Sequence, residues 1–140
     1  MYAINATKVR NEWSSVAESV IRDKPAFIKR TRDYLFLSDL VVLESILSAY
    51  SFHAETLTED DGSVTLSLDE IDLAENAPDV AAAKSKLAHA ILEYSKDYYD
   101  EFSYWARGAR TSHIPYVFKA LILNDADKIG DLIKCRRGKI

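Results

Sequence analysis

The feature that most limits what this chain can fold into is a stripe of large apolar residues near its middle. Val80, Ala83, Leu87, Ile91, Tyr94, Tyr98, Phe102 and Trp105 recur at steps of three or four, the spacing that gathers side chains on one face of an α-helix. Asn76 and Pro78 mark the predicted start, because proline is tolerated in a first helical turn, and Arg107-Gly108 the predicted end. A helix with so wide an apolar face must be covered by something else in the chain. Covering elements follow directly. His113-Ile114-Pro115 opens a second helix through Tyr116, Val117, Phe118, Ala120, Leu121 and Leu123. Asn124-Asp125 then separates it from an amphipathic piece carrying Ile129, Leu132 and Ile133. Residues 76–134 are therefore expected to fold as a helical module and not to stay disordered. The basic tail from Lys134 to Lys139 is expected to fray.

The first fifty residues read differently, as a β-α-β-β-α unit. Tyr2 to Ile4 is a short strand. Asn5 or Thr7 can cap a helix whose apolar positions are Val9, Trp13, Val16, Ala17, Val20 and Ile21, and Asp23-Lys24-Pro25 stops it. Ala26-Phe27-Ile28-Lys29-Arg30 and Tyr34-Leu35-Phe36-Leu37 are β-prone runs joined by Thr31-Arg32-Asp33, a hairpin pattern. Ser38 then caps a helix with Asp39 in its first turn and Leu40, Leu43, Ile46, Leu47 and Tyr50 as its stripe. Between the two regions, Asp60-Asp61-Gly62-Ser63 is a turn signal. It separates 52–57 from the alternating Val64-Thr65-Leu66-Ser67-Leu68, a second small hairpin. The expected class is α+β, with residues 1–50 as one unit and 51–140 as a hairpin plus a mainly helical region.

Charge is distributed as unevenly as structure. Residues 8–32 carry seven bases against three acids, and residues 55–79 carry nine acids and no Lys or Arg, so the net charge of -4 hides a basic end beside an acidic middle. A basic end suits a polyanion at one surface, and an acidic middle suits a different partner at another. The single cysteine, Cys135, cannot form an internal disulfide. The longest apolar runs, Leu40-Val41-Val42-Leu43 and Ala120-Leu121-Ile122-Leu123, fall far short of the ~18 residues of a membrane span. Polar Asn5 follows Met1-Tyr2-Ala3-Ile4 without a signal-like leader. The expected setting is cytoplasmic, with no membrane contact.

Three stretches carry a family resemblance when taken in order. They are Ile4-Asn5-Ala6-Thr7-Lys8-Val9-Arg10-Asn11, then Lys24-Pro25-Ala26-Phe27-Ile28-Lys29-Arg30, then Tyr34-Leu35-Phe36-Leu37-Ser38-Asp39-Leu40. Together they resemble the prevent-host-death (Phd/YefM) antitoxin family: a short strand, a Thr-x-x-Arg-Asn helix start, a Pro before a strand ending in a basic residue, a second strand and a Ser-led helix. The resemblance implies a unit that dimerises and binds a palindromic operator through basic residues at the start of the first helix and at the hairpin. Arg10 and Arg30 match the basic positions, and Thr7, Lys8, Asn11, Lys29 and Arg32 complete the implied DNA-binding set. At a helix start, unpaired N–H groups add to what a guanidinium offers a phosphate.

The same resemblance implies a toxin partner bound through the C-terminal part. In short members that part orders only on binding, and this chain departs from them through its folded helical module. Residues 63–92 are similar to extended antitoxins that accompany RelE-like toxins. The implied function is neutralisation of a RelE-like toxin together with repression of the protein's own operon. Within the aromatic stripe, Tyr94 and Tyr98 are expected in the core, whereas Tyr99, Tyr104 and Trp105 are left as candidate toxin contacts. Trp13 is expected in the core or the dimer interface.

Two rival readings stand beside this one. An orphan transcriptional regulator would keep the DNA-binding unit and use residues 51–140 to dimerise or to sense something else. A nucleic-acid-processing enzyme would use Asp97 and Glu101 as acids. Helical spacing turns Asp97, Asp100 and Glu101 away from the Tyr98, Phe102 and Trp105 face, which disfavours the enzyme. His53, His89 and His113 lie in separate segments without metal-ligand spacing, and no Gly-rich phosphate loop or nucleophile motif occurs. Neither a metal nor another cofactor is expected.

Overall fold

The computed structural model describes residues 2–138, so Met1 and Lys139, at the two extremes of the stretches read above, lie outside the described residues. The chain divides between Ile46 and Leu47 into two compact units.

In the first unit, β1 (Ile4–Asn5) leads into α1 (Ala6–Asn11) and α2 (Trp13–Arg22). The Asn5 side chain caps α1 by accepting from the Thr7 N–H at 2.8 Å. The single helix expected here is interrupted. Glu12 leaves helical geometry at φ -120, ψ 36, while its N–H still reaches the Lys8 carbonyl. The apolar stripe does not register this break, because Val9, Val16 and Val20 keep their spacing across it. Helix α2 ends at Arg22, before Pro25, as expected. Strand β2 (Ala26–Arg30) pairs parallel with β1 and antiparallel with β3 (Asp33–Leu37), giving a three-stranded sheet of order β1-β2-β3. The two strands join through Thr31-Arg32, with Thr31 in the left-handed region at φ 55. A β-branched residue is strained there, in a turn that ordinarily takes Gly or Asn. Helix α3 (Leu40–Ile46) follows. Its cap is Asp39, whose carboxylate accepts from the Val41 N–H. The expected cap, Ser38, instead donates its hydroxyl to the Asp39 carbonyl.

The second unit is a four-stranded sheet covered by helices. Strand β4 (Phe52–Thr58) forms the expected hairpin with β5 (Val64–Leu68), but the sheet is wider than a hairpin. Strand β6 (Ala74–Ala77) pairs antiparallel with β5. The Asn76 and Pro78 read as a helix start thus belong to a strand and to the loop after it. The long helix α4 (Val80–Asp100) is capped by Asp79, whose carboxylate accepts from the Ala82 N–H at 2.8 Å. Asp79→Ala is expected to lower the stability of this unit by about 1 kcal/mol, read as a shift in the urea midpoint without a change in slope.

The expected long helix also breaks, at Glu101 (φ -121, ψ 50), before the short α5 (Phe102–Trp105). A 3-10 segment, Gly108–His113, connects to α6 (Ile114–Leu123), and Asp125 caps α7 (Ala126–Leu132). The tail expected to fray is instead β7 (Ile133–Arg137), which pairs parallel with β4 and completes the order β6-β5-β4-β7. Arg136 ties β7 down through Asp69, whose carboxyl it holds below the ordinary value mainly by hydrogen bonding. The N–H of Gly138 donates to the Thr56 carbonyl, and a Cβ at this glycine would stand 2.6 Å from Leu57 Cδ2.

Alternation in the strands decides which face is covered. Phe52 and Ala54 of β4 and Leu66 of β5 are fully buried with Leu87, Ile91, Ala120 and Ile129 of the helices. Their neighbours Glu55, Thr65 and Ser67 stay half-exposed on the open face.

Candidate functional site

Two surfaces carry exposed side chains of one chemical kind. The first lies in residues 2–46, where the capped start of α1 meets the end of β2. Asn5, Ala6, Thr7, Arg10, Lys29, Arg30 and Thr31 line one concave surface of about 630 Å3. Sequence-distant elements meet here because β1 runs parallel to β2, with Asn5 opposite Lys29 in register. The side chains of Thr7, Arg10, Lys29 and Arg30 are all exposed. Among the described residues, no carboxylate lies within ion-pair distance of Arg10, Lys29 or Arg30. Glu12 and Asp33, the nearest acids in sequence, therefore do not neutralise them. The Lys29 ammonium sits 5.8 Å from the centre of the Tyr34 ring.

The helix end itself contributes less than expected. Helix α1 has only six residues, and the Asn5 cap already takes the Thr7 N–H, so the side chains supply the cationic character. Of the other implied DNA contacts, Arg32 is exposed in the hairpin turn and Asn11 is exposed at the end of α1, both outside this concavity. Lys8 instead lines a neighbouring apolar groove of about 440 Å3 with Tyr2, Val16, Val20 and Phe27.

The second surface lies in the second unit, where α4 gives way to α5. Tyr98 is fully buried and donates its hydroxyl to the Arg110 carbonyl at 2.6 Å. Tyr94 is half-buried beside it, with ring centres 5.8 Å apart, and its hydroxyl is hydrogen-bonded to His113 Nδ1 at 2.7 Å. Tyr99 and Tyr104 are exposed, and Trp105 is half-buried against Tyr94. Trp13, in the first unit, is exposed and not part of its core.

Burial, and next the charge of Arg110, push His113 below its usual value, with Asp72 opposing. Because the folded-state value is the lower one, the unfolded chain binds the proton first. Stability from neutral His113 is thus complete above about pH 6.5 and falls as the pH drops toward the lowered value. The folded protein's His113 imidazole is expected to titrate below about 6.5 by NMR. The thermal midpoint should fall on acidification by more than it does in His113→Gln.

Comparison with known proteins decides the class. The profile of a family described as antitoxin of toxin-antitoxin, RelE/RelB, TA system matches residues 1–135. The chain belongs to this antitoxin family. The antitoxin is also similar in structure to a crystallised protein from Syntrophomonas wolfei subsp. wolfei, described as the antitoxin part of a proposed toxin/antitoxin system. The two are 32% identical with a TM-score of 0.91, over 98% of this chain and 99% of the other. No curated protein matches the chain.

Membership of an antitoxin family implies a toxin as partner. Asp97 and Glu101, the acids considered for catalysis, are exposed on and after the last turn of α4. Among the described residues no three His, Cys, Asp or Glu side chains gather as a metal site, and no helix is long and apolar enough to cross a membrane. Sequence reasoning passed over Thr31 in the basic surface, and Phe102, Arg110 and Phe118 around the aromatic one. The positive φ of Thr31 has no signal in its residue type. Phe102 and Phe118 read as core by spacing alone.

Proposed function

We propose that the antitoxin is a Phd/YefM-like operator-binding homodimer that neutralises a RelE-like toxin by direct binding and represses its own operon. The observation that carries the DNA reading is the convergence of Thr7, Arg10, Lys29 and Arg30 on one concave, acid-free surface. Unpaired guanidinium groups beside a hydroxyl and a strained hairpin turn suit phosphate and guanine edges, which take bidentate arginine donors.

Dimerisation is supported by what the first unit fails to bury. Among the described residues its buried apolar side chains are Val9, Val20 and Ile28, none of them completely enclosed, while Phe27, Tyr34, Leu35, Phe36, Leu40, Val41 and Ile46 are exposed. So small a unit with so little core does not hold together alone, and this much exposed apolar surface marks an interface. A second copy of the same unit is the proposed cover. Light scattering at micromolar concentration is expected to give at least twice the mass of the chain, and a monomer would remove this part of the reading.

The function as a whole is tested in cells. Expressing the adjacent toxin gene alone should arrest growth, co-expression of the antitoxin should restore it, and a reporter behind the upstream DNA should fall silent. Relief of arrest without reporter repression would leave a toxin binder that does not regulate. Repression without any toxin to relieve would favour the orphan regulator.

A further inference from the structure

We propose that the antitoxin holds its toxin on an aromatic platform at the junction of α4 and α5, which receives an arginine- or lysine-bearing segment of the toxin. The inference rests on the reading that the protein binds a toxin, and it names the surface and the chemistry of the contact.

The rings form one connected set. Tyr98, fully buried, touches Tyr94 and Phe102 at centroid distances of 5.8 Å each; Phe102 stacks on Phe118 at 5.9 Å with planes 6° apart. Tyr94 continues the set to Trp105, and Trp105 to Tyr104 at 5.5 Å. The members that reach solvent are Tyr99 at 59%, Tyr104 at 60% and Phe102 at 37% exposed. Rings wedged against a buried base lose little freedom on binding, which is the property of an interface anchor.

The chemistry of the occupant is already present within the chain. The Arg110 guanidinium lies 5.3 Å from the centre of the Tyr104 ring and 4.8 Å from that of Trp105, and donates to the Tyr104 carbonyl at 3.2 Å. Arg110 fills this corner itself and shows that these rings hold a guanidinium, since cations over Tyr and Trp rings are attracted by the ring quadrupole. The toxin's cation is left the solvent-exposed ring surface of Tyr99, Tyr104 and Phe102. Asp97, Asp100 and Glu101 stand exposed on the same stretch, and none has a cation within ion-pair distance among the described residues. Unpaired carboxylates on the same stretch of chain as the open rings complement a cationic protein surface. They would repel nucleic acid, which confines the polyanion to the basic surface of the other unit.

The test uses the full-length antitoxin and the toxin encoded beside it. A Tyr99→Ala/Tyr104→Ala double variant is expected to bind the toxin at least tenfold more weakly, with wild-type affinity for upstream DNA and an unchanged melting temperature. Asp97→Lys/Asp100→Lys, confined to exposed side chains, is expected to weaken the complex and to reverse its salt dependence. If wild-type antitoxin forms no complex, the toxin-binding reading itself fails. If the complex forms and both variants bind as tightly as wild type, the platform is not the contact. If the variants instead change the oligomeric state, the occupant is a second copy and the inference is overturned.

Discussion

Arg10→Ala and Arg30→Ala are each expected to weaken binding to the DNA upstream of the operon by about 1–3 kcal/mol per copy, roughly 5- to 150-fold. Both guanidinium groups line the same concavity and neither is engaged by an acid. Removing them therefore takes away a free donor without leaving a buried carboxylate unpaired. In a dimer each substitution counts twice, so the loss approaches the ~4–10 kcal/mol that separates specific from non-specific binding. Salt separates the possible roles. A phosphate contact lowers the slope of log K against log salt by about one per contact, whereas a base contact lowers affinity for the operator more than for random DNA. Lys134 is a suitable control, since it is a base on β7, in the other unit. Lys134→Ala should leave specific binding unchanged. Wild-type affinity and wild-type salt slope in both arginine variants would show that the basic end is a solvated face.

What the sequence disclosed of this site depended on whether the signal was local. Arg30 stands out at a strand end, a feature set by nearest neighbours. Arg10, expected at a helix start, falls in the last turn because α1 is so short. That Thr7 and Lys29 share a surface follows from the parallel pairing of β1 with β2, a contact between segments more than twenty residues apart. In the second unit the helices were legible because Leu87, Ile91 and Tyr98 must share a buried face. Strands β6 and β7 were not, for a physical reason. Ala74-Glu75-Asn76-Ala77 and Ile133-Lys134-Cys135-Arg136-Arg137 are edge strands. Edge strands bury little and carry the charges that guard a free edge, so neither shows apolar alternation. The same polarity that hides β7 from a reading by hydrophobic period, Lys134 and Arg136 above all, is what keeps its outer edge from pairing with other chains.

The largest stability effect is expected at Phe52, and the reason lies in the single-sided construction of the second unit. Among the described residues, one face of the β6-β5-β4-β7 sheet carries the fully buried side chains, so one layer holds helices and sheet together. Phe52 opens the inner strand β4, is fully buried, lies opposite Ile133 of β7, and has its ring centre 6.0 Å from that of Tyr116 on α6. Phe52→Ala removes a contact shared by the sheet, its parallel edge and a helix. Phenylalanine-to-alanine truncations in cores cost about 3–5 kcal/mol, against a net stability on the order of 5–15 kcal/mol for a domain. Leu57, on the same strand but 37% exposed, provides the comparison. Leu57→Ala should cost roughly 1 kcal/mol or less, as surface substitutions do. The chain has two tryptophans, Trp13 in the first unit and Trp105 in the second. In a Trp13→Phe background, Trp105 fluorescence therefore reports the unfolding of the second unit by itself. The urea midpoint should fall steeply for Phe52→Ala and barely for Leu57→Ala. Equal shifts at the two positions would mean that both faces of the sheet are covered in solution, and that the open face seen here is closed by a second body.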